Sequence, residues 1–164
     1  MIAVERIRES FQNIFDKLDF SDKSLLPSQF AEQFIKLDSS ISSLKQGSFS
    51  YNLTPYLREV VDCASPYHPA RMIAVMKGAQ IGFSQGVIVP AIVWKIANDP
   101  GNIVSLSAND SLSQRFVEQR LDPVIQRCFV KDLIKPNVIR KRNARTGDTS
   151  KSKEFAGGSA TFGG

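Results

Sequence analysis

The stretch from Arg71 to Ile96 constrains this chain more than any other. Met72-Ile73-Ala74-Val75-Met76 is a short apolar run, and Lys77-Gly78-Ala79-Gln80-Ile81-Gly82-Phe83-Ser84 follows it with two glycines. A second apolar run then extends from Val87 to Ile96. The first run alone suits a buried strand or a buried helical turn. The glycine loop and the longer run behind it decide for a strand that feeds a helix. Pro90 lies within that helix and lacks an N–H, so it must sit in the first turn or two, or kink the helix.

The pattern repeats downstream. Asn98-Asp99-Pro100-Gly101 is a turn, and Ile103-Val104-Ser105-Leu106 reads as a second buried strand. Asn109 or Asp110 caps another helix with Leu112, Phe116, Leu121 and Ile125 inward, which Asp122-Pro123 bends or interrupts. Strands alternating with helices imply a parallel sheet with right-handed crossovers. Near the end, 153–155 and 159–162 flank Ala156-Gly157-Gly158 as a hairpin. The expected fold is α/β. Its sheet is small and incomplete, with three or four strands, and resembles the front of a longer chain.

Ahead of this core, Val4, Ile7, Phe11, Ile14, Phe15 and Leu18 recur at helical spacing. Pro27, Phe30, Phe34 and Ile35 mark a second short helix, and Ser39 to Ser50 reads as a linker. Residues 1–48 are therefore expected to be a helical lead-in, and 49–164 the main domain. Thr54-Pro55 opens a further helix with Leu57, Val60, Val61 and Ala64 buried, ended by Ser65-Pro66.

Composition excludes several classes. The chain has 164 residues, with 42% hydrophobic and 23% charged, as in ordinary globular domains. Its longest uncharged apolar stretch, Gly86 to Trp94, falls far short of the ~20 residues of a membrane helix. Met1 to Phe11 carries four charges and no apolar core, so it does not read as a secretory signal. Two cysteines and one histidine cannot build a disulfide scaffold or a structural zinc site. Counting alone permits a catalytic Cys–His pair, but both cysteines lie in apolar helical patterns that suit the core. The net charge, 21 − 16 = +5, leans weakly toward a polyanionic partner. Lys131, Lys135, Arg140, Lys141, Arg142, Arg145, Lys151 and Lys153 crowd one stretch. A solvated loop is its plainer reading, and a phosphate-contacting loop the alternative.

The glycine loop carries the chemistry. A strand ending in a glycine-bearing loop at a helix start can hold phosphate on backbone N–H groups. The usual phosphate-loop pattern, G-x-x-x-x-G-K-[ST], fits at Gly82 and Ser84 but puts Phe83 at the lysine position and Lys77 at the first glycine. Lys77, at the loop mouth, has the reach to meet the β/γ-phosphates from the other side. Ser84 retains a hydroxyl for Mg²⁺. The alternative is a plain strand–turn–helix joint.

Leu53 to Val61, Ala74 to Ser84, Ile103 to Leu106 and Arg120 to Ile125, taken in order, resemble the large terminase subunit of tailed bacteriophages, of the lambda-like kind. That family's phosphate loop has the form K-x-A-x-x-G-[YF]-S, which Lys77, Ala79, Gly82, Phe83 and Ser84 match. Gly157 to Thr161 resembles its next strand, so the likeness spans about Gly47 to Gly164. The resemblance implies a P-loop NTPase-like parallel sheet flanked by helices, with ATP and Mg²⁺ as ligands. Lys77 would be the phosphate lysine, the Gly78-Ala79-Gln80-Ile81-Gly82 backbone the cradle, and Ser84 the Mg²⁺ ligand. Tyr56, Arg58 and Tyr51 would lie on the adenine side, with helix packing the alternative for both tyrosines. Leu57 stands where the family often has a glutamine, and leucine cannot hydrogen-bond a base.

The resemblance further implies a motor that drives double-stranded DNA into a procapsid, working in the host cytoplasm. Its partners would be a small terminase subunit and the procapsid portal, with no membrane, and with homo-oligomers at full length. The family's apolar strand ending in Asp-Glu has no counterpart here, and neither does its endonuclease. This chain is therefore expected to bind nucleotide with little or no turnover. A helicase-like ATPase fragment and a non-catalytic assembly fragment are the alternatives.

Overall fold

The computed structural model describes residues 25–37, 47–140 and 144–164. The expected helix from Val4 to Leu18 and most of the expected linker lie outside the described residues, as do Lys141 and Arg142. Helix α1 is Pro27–Phe34, with proline in its first turn as its fixed φ favours. Its N-terminus is capped from a distance: Ser28 N–H and Oγ donate to the two Asp62 carboxylate oxygens, each at 2.8 Å. Phe30 and Phe34 meet at a centroid distance of 4.9 Å, and both meet Phe129 edge-on at 5.9 and 5.1 Å. Strands β1, Lys36–Leu37, and β2, Gly47–Ser48, form a short antiparallel ladder. That ladder brings Phe49 and Tyr51 into the core that also holds Phe30, Ala31 and Ile35.

The helix expected from Thr54 divides. Pro55–Leu57 is a 3₁₀ turn, α2 is Arg58–Asp62, and the Thr54 side chain makes no capping bond. Leu57 and Val61 are buried, whereas Val60 and Ala64 are only half-buried.

The largest departure lies at Arg71 to Met76. This segment is an exposed irregular chain, not a strand, and Met76 is 102% exposed. A strand needs a neighbouring backbone to satisfy its N–H and C=O groups, and none stands beside it among the described residues. A cavity of about 300 Å³, lined by Ile73, Val75, Val87, Ile103 and Val104 among others, lies between this segment and the nearest strand.

The helix behind the loop starts as a π-helical turn, Ser84–Ile88, and continues as α3, Val89–Asn98. Val89, Val93, Trp94 and Ile96 are buried on it. Pro90, second in α3, cannot donate to the Gly86 carbonyl four residues back. The Tyr51 hydroxyl donates to that carbonyl instead, at 2.7 Å. Strand β3 is Ile103–Leu106, half-exposed where burial was expected, with Val104 69% and Leu106 78% accessible. Helix α4, Asp110–Phe116, is capped by Asn109, whose Oδ1 accepts the Leu112 N–H at 2.9 Å. The Leu112 side chain points outward, not into the core as its spacing suggested. A second π-helical turn, Val117–Leu121, leads into α5, Asp122–Arg127, where Pro123 sits in the first turn. Both internal prolines thus follow a widened turn. A 3₁₀ turn covers Phe129–Leu133.

Strands β4, Val138–Arg140, and β5, Ala144–Thr146, pair antiparallel, so part of the basic stretch is a ladder and not a loop. The expected hairpin is present as β6, Ser152–Phe155, and β7, Gly158–Gly163. β7 also pairs parallel with β3, Ile103 opposite Ala160 through Leu106 opposite Gly163. The sheet order is β3-β7-β6, so the expected parallel sheet and the expected hairpin are joined in one mixed sheet, with a single parallel pair among the described residues. Among the described residues no helix is long and apolar enough to cross a membrane.

Lys153 also departs from expectation. It is 1% exposed, with its ammonium 2.5 Å from Asp148 Oδ1 and 2.7 Å from Asp122 Oδ1. Burial raises the Asp122 carboxyl above its ordinary value, and the Lys153 charge opposes that rise. This lysine joins the hairpin to α5 and is no part of a solvated basic face.

Candidate functional site around the glycine loop

The Lys77–Ser84 loop enters the helix through Gly82, whose φ of +79° is left-handed backbone that glycine adopts without a steric cost. Gln80 has a φ of +58°. A non-glycine residue held there is strained, as residues in ligand clamps often are. The backbone N–H groups of Gly78, Ala79, Gln80 and Gly82 have no hydrogen-bond partner among the described residues, while Ala79 and Gln80 form the centre of a hydrogen-bonded turn that draws the Ile81 N–H toward the Gly78 carbonyl. Loop and helix are tied by the Gly86 N–H, which donates to the Gly82 carbonyl at 2.7 Å.

A cavity of about 160 Å³ opens beside this loop, lined by Lys77, the stretch Gln80 to Gln85, and Arg120. Among the described residues its lining has two cationic side chains and no carboxylate. The Lys77 ammonium lies 5.7 Å from the Phe83 ring centroid, over its face. Such a cation–π contact holds a lysine without neutralising it. Phe83 itself is half-buried against the core. The Ser84 hydroxyl is exposed at the start of the helix. A serine oxygen suits a hydrated Mg²⁺, which keeps several waters and takes few protein ligands. Among the described residues no cluster of His, Cys, Asp and Glu could hold a metal by itself.

The three adenine-side candidates separate. Tyr56 is 56% exposed, and its hydroxyl donates to the Ile81 carbonyl at 3.1 Å, which places it against the loop. Tyr51 is fully buried, with its hydroxyl engaged by Gly86. Burial, with nearby Asp62 and Glu32, pushes its phenol well above the usual value. Arg58 donates to both Glu32 oxygens, at 2.9 and 3.0 Å, and covers the Tyr51 ring. Tyr51 and Arg58 therefore form a scaffold under the helix start and do not line the cavity. Leu57 is buried against Gly86, where an added Cβ would stand 2.6 Å from Leu57 Cδ1.

Gln85 and Arg120 line the cavity without having been singled out from the sequence. Gln85 had no signal of its own. Arg120 lies some forty residues from the loop, and its only sequence trace was its place in the Arg120-Leu121-Asp122-Pro123 string. The Cys–His possibility also takes a definite form, with Cys63 Sγ 3.6 Å from His68 Nε2. The Ala70 N–H donates to His68 Nδ1, and Cys63 Sγ donates to the Glu59 carbonyl. Both groups are engaged in closing the turn after α2. The sequence assigned Cys63 to a core helix, and it is instead half-exposed.

Residues 43–164 match the family described as phage terminase large subunit gpA, ATPase domain. No curated protein and no solved structure matches the chain.

Proposed function

Because the chain belongs to the ATPase-domain family of the phage terminase large subunit gpA, we propose that the Lys77–Ser84 loop holds the polyphosphate of ATP. The observation that carries this reading is the set of unpartnered N–H groups of Gly78, Ala79, Gln80 and Gly82, beside a cavity whose lining among the described residues has cations and no carboxylate. Lys77 leaves the Phe83 face to meet the phosphates. Ser84 supplies its hydroxyl to Mg²⁺, which neutralises phosphate charge when bound. Tyr56 takes the base side, while Tyr51 and Arg58 hold the helix start in place. Leu57 gives no hydrogen bond to a base.

In this reading the loop is a deviant Walker A motif with its lysine at the front, in a viral protein. Phosphoryl transfer also needs an acid to orient the attacking water. We place that acid, and the endonuclease carboxylates, in the sequence of a longer protein. Residues 1–164 then bind ATP with turnover at background level. The longer protein packages double-stranded DNA into procapsids in the host cytoplasm. It works as a homo-oligomer with a small terminase subunit and the portal.

Titration with a fluorescent ATP analogue tests the loop. Lys77→Ala removes charge-assisted hydrogen bonds worth about 1.5–3 kcal/mol, so affinity should fall by about one to two decades. Ser84→Ala should chiefly raise the Mg²⁺ requirement. Phe83→Ala should lower the melting temperature more than the affinity. Equal affinity in wild type and folded Lys77→Ala would overturn the nucleotide reading and leave a plain strand–turn–helix joint.

A further inference from the structure

We propose that Arg120 is a second phosphate-binding cation and that the Gln85 amide completes the same site; both assignments rest on the nucleotide reading above. Among the described residues, Arg120 is the one lining residue contributed from outside the 77–85 segment. Its guanidinium has no ion-pair or hydrogen-bond partner among the described residues. Neighbouring charges are already engaged: Glu118 accepts from Gln114 at 2.7 Å, and Asp122 faces Lys153. Arg58 is held by Glu32, and Arg127 donates to the Pro123 carbonyl. Among the described residues, Arg120 is thus an unneutralised fork of donors at the edge of a cavity whose lining has no acid. Guanidinium geometry suits two phosphate oxygens at once, whereas Lys77 acts as a point charge.

Gln85 supplies an independent observation. Both its Nε2 and its Oε1 are buried without a partner among the described residues. An amide buried this way costs stability unless a ligand or an ordered water completes it. Its Nε2 can donate to a phosphate oxygen, and its Oε1 can accept from the Arg120 guanidinium once that side chain turns inward.

The backbone points the same way. Gln85 and Arg120 each lie in a π-helical turn, Ser84–Ile88 and Val117–Leu121. Such turns are rare overall and are frequent at functional sites. Each is followed by a helix with proline in its first turn, Pro90 or Pro123. The widened turns thus contribute a residue each to one cavity.

The test is titration of the full chain with a fluorescent ATP analogue and Mg²⁺, with a thermal melt of every variant. Arg120→Ala should weaken binding by about tenfold or more, and Arg120→Lys by less. Arg115→Ala, exposed on α4 and away from the cavity, should bind as wild type does. Gln85→Leu should weaken binding while raising the melting temperature of the nucleotide-free protein, because the orphaned amide is gone. A buried amide with only a structural role would not give that opposed pair of shifts. Gln85→Met asks the same question if leucine is not accommodated. If Lys77→Ala loses affinity while folded Arg120→Ala binds like wild type, the Arg120 assignment is wrong and the nucleotide reading stands. If Gln85→Leu or Gln85→Met binds like wild type, the Gln85 assignment is wrong. If Lys77→Ala also binds like wild type, the nucleotide reading fails and both assignments fail with it.

Discussion

Strand β3 has two edges, and they differ completely. On one, β7 pairs with all four residues, and β6 closes the sheet behind it. Phe155, Ala160 and Phe162 from that hairpin are buried. On the other, the Arg71–Met76 segment stands across an apolar cavity with no ladder to β3. Both flanking segments carry apolar side chains, Met72 to Met76 throughout and β7 at Ala160 and Phe162. What separates them is a partner: β7 has a hairpin neighbour and a parallel neighbour, whereas Met72 to Met76 has no paired backbone among the described residues. An apolar run therefore becomes a strand only when another strand is in reach, and otherwise its side chains remain in water.

The sharpest way to break this contrast is a matched pair of truncations. Phe162→Ala on the paired edge should cost about 3–5 kcal/mol, through lost burial and the cavity left behind. Val75→Ala, 41% exposed on the open edge, should stay within about 0.5 kcal/mol. Urea unfolding of both variants measures the difference, and equal costs would show that the two edges are not distinct.

The next largest effect is expected at Lys153. Lys153→Met leaves Asp122 and Asp148 facing each other without their cation. Each carboxylate side chain is about a third exposed, so the loss should fall near the low end of the range for a broken buried pair, about 3 kcal/mol. Adding Asp122→Asn and Asp148→Asn to the same chain should recover much of it. A triple variant as unstable as Lys153→Met alone would mean that packing, not charge, fixes the hairpin on α5.

The smallest stability effect belongs to the open edge, where the readout is association. Met72 and Met76 are 88% and 102% exposed, and Val104 and Leu106 on β3 are exposed as well. Unpaired apolar edges template self-association. Met72→Ser with Met76→Ser should leave the unfolding midpoint within the equivalent of about 0.5 kcal/mol while lowering the mass seen by light scattering. Association unchanged by the double variant would place the sticky surface elsewhere.

How much was legible in the sequence follows from the range of each interaction. Pro27 in a first turn, Asn109 as a cap, the helix behind Ser84 and the hairpin around Gly157 were all legible, because each depends on residues a few positions apart. The loop itself was legible for the same reason: Lys77, Gly82 and Ser84 are close in sequence. Only the tertiary structure decided the rest. Whether Met72 to Met76 pairs depends on a strand that sequence spacing does not locate. Tyr51 could stand on the adenine side or pack against a helix until Pro90 leaves the Gly86 carbonyl without its helical donor and the Tyr51 hydroxyl takes that place. Lys153 reads as one of a basic crowd until Asp122, thirty-one residues earlier, faces it. Arg120, within a widened turn some forty residues from the loop, lines the loop cavity only in the packed chain. Turn, cap and periodicity signals are local and so are carried by neighbouring residues, whereas pairing, burial and charge compensation join distant ones and arise only when the chain is packed.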